Sequence, residues 1–191
     1  MHRGLLQSPS PALVTGLYQP SRGRTQSGLT PSTFAGEDQY SHADAKLKTE
    51  LLNHLAPLQR LGLIDHWHDS EIQPGSAWEP AISKQLEASQ LVLLLVSSDF
   101  IASDYCYENE LASALRRHDD GTARVLPIIL RPCLWQDLQF GKLQAAPREG
   151  RAVTSWTNAD EALTDAAKSV REAAQNIRTA SAGTSTQGAK K

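Results

Sequence analysis

The chain has 191 residues, 40% hydrophobic and 21% charged, with 19 Lys and Arg against 21 Asp and Glu for a formal charge of −2. These are globular proportions. They exclude a collagen-like, fibrous or wholly disordered chain and leave no global electrostatic drive toward nucleic acid or an anionic membrane.

Residues 1–38 are rich in Ser, Pro, Gly, Thr and Gln, with few large apolar residues outside Leu13 to Tyr18 and Phe34. Such a stretch buries too little surface to offset its ordering entropy and reads as mostly disordered. Its first residues are too broken by Ser and Pro to form the apolar centre of a signal peptide. Leu47, Leu51, Leu55 and Leu58 then recur at helical spacing between Asp44 and Arg60, with Gly62 as a stop. Residues 63–68 (LIDHWH) are short and β-prone, and 69–75 are turn-rich. Ser76 sits three residues before Glu79, a capping-box spacing, and opens a helix carrying Ile82 and Leu86.

Residues 91–96 (LVLLLV) are an unbroken aliphatic run, far short of the roughly 20 residues that cross a bilayer. The pattern is that of a strand buried on both faces of a parallel sheet. Ser103 caps a predicted helix to about Arg117, with Leu111 and Leu115 on its buried side. Residues 125–130 (VLPIIL) are a second buried strand, which Pro127 assigns to an edge or a bulge. Asn158, with Glu161 three residues on, opens a last helix whose buried stripe is Leu163, Ala166, Ala167, Val170, Ala174 and Ile177. Residues 178–191 are a small, polar tail. The predicted organisation is a disordered or degenerate N-terminal segment (1–38), one domain (39–177) and a disordered tail (178–191).

Strands alternating with helices predict an α/β fold, a doubly wound, flavodoxin-like, mostly parallel sheet with helices on both faces. Right-handed crossovers put the ligand site beyond the carboxyl ends of the strands, so the loops after His68, Val96 and Leu130 are the places for chemistry. Two cysteines, Cys106 and Cys133, make no disulfide framework, and a reducing, cytoplasmic interior is expected. His66 and His68 share one strand face, but no third ligand accompanies them and no metal is expected. No glycine-rich phosphate loop is present.

Several segments together resemble the Toll/interleukin-1 receptor (TIR) domain in its bacterial form. Tyr40-Ser41-His42-Ala43-Asp44 resembles the first box. Trp67-His68-Asp69 with Ile72, Pro74-Gly75 and Trp78 resembles the second box, the BB loop. Ser97-Ser98-Asp99-Phe100, then Ser103-Asp104-Tyr105-Cys106 and Glu110-Leu111, resembles the segment bearing the family's helix αC. Residues 127–133 (PIILRPC) with Trp135 resemble the fourth strand and its loop. The likeness covers Tyr40 to about Ala174. It departs at the first strand: residues 34–39 (FAGEDQ) carry charges and a Gly where a buried central strand belongs. Either Leu13 to Tyr18 supplies that strand through a long connection, or the sheet lacks it. The length of the connection counts against the first option.

The resemblance implies a TIR fold and two capacities, self-association and cleavage of the nicotinamide–ribose bond of NAD+. That cleavage builds positive charge on the ribose, which one carboxylate on helix αC stabilises. Glu110 matches that carboxylate and Glu108 is the fallback. Ser41, Asp69 and Trp78 are implied to line the nucleotide pocket, and Pro74 and Gly75 to form the interaction loop. NAD+ is then substrate, with no cofactor; the partners are other TIR domains, in a homo-oligomer on activation. The alternative is a catalytically silent module that works by homotypic TIR–TIR association.

Overall fold

The computed structural model describes residues 12–15, 37–68, 86–102 and 110–184. In chain order these form β1 (Ala12–Thr15), α1 (Glu37–Arg60), β2 (Asp65–His68), β3 (Leu91–Val96), α2 (Ser98–Ala102), α3 (Glu110–Asp119), β4 (Arg124–Ile129), two 3₁₀ turns (Arg148–Gly150 and Val153–Ser155) and α4 (Ala159–Thr184). The strands make one parallel sheet in the order β2-β1-β3-β4.

The aliphatic run of β3 is buried along its whole length. Leu91, Leu93 and Leu95 point to one face, where they meet Leu47, Leu51, Leu55 and Leu58 of α1 and Leu163, Ala166 and Val170 of α4. Val92, Leu94 and Val96 point to the other face, against Phe100, Leu111, Ala114 and Phe140. Two-sided burial is what the missing alternation predicted, and the fold is α/β with helices on both faces.

The helix ends follow their sequence signals. Gly62, at φ +60°, ends α1: its N–H donates to the Gln59 carbonyl, and the Leu63 N–H to the Leu58 carbonyl. That pair of bonds is a Schellman motif, which needs a left-handed residue where Gly stands. Asn158 caps α4, its side-chain oxygen accepting from the Asp160 N–H at 2.9 Å.

β4 lies at the end of the described sheet order, as Pro127 predicted. Its outward N–H groups are occupied: Val125 donates to His118 Nδ1 at 3.0 Å, and Ile129 to the Ala146 carbonyl at 2.8 Å. Pro127, between them, has no N–H to leave unpaired. This edge is closed to further strand addition.

Three features differ from the sequence reading. Ala12–Thr15 is the central strand, pairing Val14 with Trp67 on one side and with Val92 on the other. Four residues of the segment expected to stand outside the fold are therefore part of its sheet, and the long connection is the option taken. Pairing on both sides supplies what the local composition does not. Next, α4 runs to Thr184, past the expected end at 177; the residues beyond include alanines and no proline to stop a helix. Finally, α2 is an additional short helix, opened by Ser97, whose Oγ accepts from the Phe100 N–H at 3.1 Å. The helix predicted to open at Ser76 lies mostly outside the described residues, as do 103–109 ahead of α3.

Candidate functional site

In an open parallel sheet, ligands bind beyond the carboxyl ends of the strands, at the point where neighbouring connections diverge. Here that point lies between β1 and β3, which are neighbours in the sheet and lead to crossovers on opposite faces. Two of the loops expected to carry chemistry, those after Val96 and Leu130, meet at this edge. The Leu130 N–H donates to the Val96 carbonyl at 2.8 Å.

The edge holds a buried charge cluster. Asp44, on α1, is 5% exposed. Its Oδ2 accepts from Ser97 Oγ at 2.6 Å, and Arg131 grips both its oxygens, Nε to Oδ1 at 2.7 Å and Nη2 to Oδ2 at 3.1 Å. Nη2 of Arg131 also donates to Asp99 at the start of α2. Asp44 and Arg131 are thus a planar two-bond pair, the geometry a guanidinium offers and an ammonium does not. The Asp44 hydrogen bonds hold the Arg131 pKa above its ordinary value, against the burial that lowers it. Asp99, with 40% of its side chain exposed, is the wet end of the cluster.

Cys133, two residues beyond Arg131, is a half-buried free thiol. Burial pushes its pKa up; Arg131 works against this and Asp44 with it. A thiol held in its neutral form is a poor nucleophile.

Of the sequence-predicted site residues, Ser41 lies in α1, one turn before Asp44, with its side chain outside the described residues. Glu110 is the first residue of α3, its side chain likewise outside. Asp69, Pro74, Gly75 and Trp78 lie outside the described residues altogether, as does Glu108. The direction of α3 still bears on Glu110. The helix ends at Asp119 and reaches the start of β4 through a short turn, so it runs back along the sheet from the carboxyl edge. Its first residue is therefore at the end of the helix away from the start of β4. Leu111, 1% exposed, anchors that end among the residues packed on β3.

Sequence reading quoted Asp44, Ser97, Asp99 and Arg131 as parts of separate motifs and did not join them. The available signal was position for three of them: Ser97, Asp99 and Arg131 each follow a buried strand at the same edge of the sheet, whereas Asp44 lies within α1.

Among the described residues, no three or more His, Cys, Asp and Glu side chains form a group that could hold a metal ion. No helix among them is long and apolar enough to cross a membrane.

A family model for the TIR domain matches residues 39–167. An uncharacterized protein of Sinorhizobium fredii, y4lF, is 49% identical over 133 residues, 70% of this chain. The match spans 40% of that relative's own length. The family match begins within α1, so β1 lies ahead of it.

Proposed function

The chain belongs to the TIR-domain family, a family of signalling domains, and from that premise we propose that it self-associates and hydrolyses the nicotinamide–ribose bond of NAD+. Glu110 is the catalytic carboxylate in this reading. The observation that supports it is the direction of α3, which runs toward the amino end of β4 and so carries Glu110 at its opposite end, on the side of the sheet's carboxyl edge where ligands of open α/β folds bind.

The chemistry asks little of the protein beyond one well-held charge. The bond between ribose C1′ and the pyridinium nitrogen breaks, and its electron pair neutralises the departing nicotinamide. The ribose passes through an oxocarbenium-like state, which the Glu110 carboxylate stabilises. Water adds at C1′ and releases a proton, leaving ADP-ribose. The leaving group needs no acid because it departs neutral. NAD+ is the substrate, with no separate cofactor. Ser41, Asp69 and Trp78 line the pocket, and the Pro74-Gly75 loop contacts a second copy in an interior, reducing compartment.

The test is NAD+ consumption by purified protein at rising concentration, for the wild type, Glu110→Gln and Glu108→Gln. Glu110→Gln keeps shape and hydrogen bonding but loses the charge; removing one such preorganised group costs on the order of 10²–10³ in rate. Substrate binding changes far less, because the charge acts mainly in the transition state. Retention of more than about a third of the wild-type rate by Glu110→Gln refutes the assignment. Loss confined to Glu108→Gln refutes it equally and moves the role to the fallback. A wild type silent at every concentration leaves the catalytically silent association module.

A further inference from the structure

The cluster of Asp44, Ser97, Arg131 and Asp99 is more polar than stability alone requires. A buried ion pair can often be replaced by apolar residues of similar volume with no loss of stability. What the cluster supplies instead is connection. It joins residues 53 and 87 positions apart along the chain, tying α1, the turn after β3 and the end of β4 to one another.

From Leu47 onward the apolar core also joins α1 to β3 and β4; the polar cluster adds a link at Asp44, one turn earlier on the helix. α2 has five residues and one buried apolar side chain, Phe100. Ile101 packs partly buried on the same core, and α2 is also held by the Ser97 cap and by the bond that Arg131 donates to Asp99.

We propose that Arg131 is a positioning residue: its guanidinium fixes α1 at Asp44 and the start of α2 relative to the end of β4. Its kinetic consequence rests on the NAD+ reading above, in which Ser41 on α1 lines the pocket and Glu110 acts on the ribose. The mechanical consequence does not. With the guanidinium in place the two segments move as one body; without it each is held by its own few contacts.

The test is the double variant Asp44→Asn/Arg131→Gln, which removes both charges of the buried pair and leaves the half-exposed Asp99 to solvent. Amide hydrogen exchange read by mass spectrometry is expected to speed at least about tenfold at residues 37–47 and 97–102, with α4 unchanged. In the turnover assay kcat is expected to fall on the order of 10–100-fold, with KM for NAD+ moving less than about threefold, as for misplaced but intact catalytic groups. Arg131→Lys keeps the charge but not the planar fork and provides a second variant should the double one fail to fold; it is expected to show both effects in the same direction. Unchanged exchange at both segments overturns the proposal. So does faster exchange with an undiminished kcat. If the wild type does not turn over NAD+, the catalytic reading fails on its own, and the exchange arm still decides the role of Arg131.

Discussion

Arg131→Gln is expected to cost the fold far more than an ordinary surface substitution. The Asp44 carboxylate is 5% exposed and takes two of its three described bonds from that guanidinium. Glutamine is too short and uncharged to replace the fork, which leaves Asp44 buried with the Ser97 hydroxyl alone. Removing one partner of a buried pair costs about 3–5 kcal/mol, because the remaining charge has lost both water and its counter-ion. Asp99 adds little, since its half-wet carboxylate can be solvated again and exposed pairs contribute only about 0–1 kcal/mol. For a chain of this size 1 kcal/mol moves the midpoint by about 2–4 °C, so the drop should be roughly 6–20 °C. Thermal unfolding followed by circular dichroism at neutral pH measures it. Adding Asp44→Asn to Arg131→Gln should restore most of the loss, since the unpaired charge is then gone. An Arg131→Gln midpoint within about 2 °C of wild type would show that Asp44 does not depend on its partner, and the reasoning would fail.

Gly141→Ala should lower the melting midpoint by several degrees: a Cβ there falls 2.0 Å from the Gln136 carbonyl oxygen, and backbone must shift at an overpacking cost of about 1–3 kcal/mol. A midpoint unchanged from wild type would mean the loop opens freely. Asp165 tests the pH dependence. Burial raises its carboxyl pKa, but hydrogen bonds from the Arg148 backbone and guanidinium, with the charges of Arg148 and Lys168, hold it below its ordinary 3.8. A lowered native value stabilises the fold above the unfolded value and is lost as pH falls through the native one. The midpoint gap between wild type and Asp165→Asn should therefore be open at pH 6 and narrow below about 3.8; a gap constant down to acid pH contradicts this sign.

Much of the fold was legible because it is written in local pattern. The run from Leu91 to Val96 announces burial on two faces, and the leucines of α1 and the small apolar stripe of α4 announce one face each. Gly62 and Asn158 mark helix ends through chemistry confined to a few neighbouring residues. β1 was hard to see for the opposite reason. Its four residues stand in a Ser- and Pro-rich stretch, and what makes them a strand is pairing with residues more than 50 positions away. The charge cluster was invisible in the same way. Asp44 read as part of a helix-opening motif, and its burial follows from an arginine 87 positions later.

The two ends of the sheet are closed by different chemistry, and the difference bears on function. At the amino end, Arg117 donates to the backbone carbonyls of Leu86, Ser89 and Thr122, joining α3 to the segment that enters β3. Those acceptors are neutral and belong to the main chain, so the cap fixes where the strand begins whatever side chains stand nearby. At the carboxyl end, the bonds of Arg131 to Asp44 and Asp99 run between charged side chains. Asp44 and Ser97, two of the buried polar or charged residues among those described, stand there. A side-chain link of this kind is sensitive to any charge brought near it, because its partners can re-pair, whereas a carbonyl cap has no charged partner to exchange. An open α/β sheet receives its ligand at the carboxyl end. This chain therefore holds one end through main-chain acceptors and places its charged side-chain contacts at the end where open α/β sheets receive their ligands.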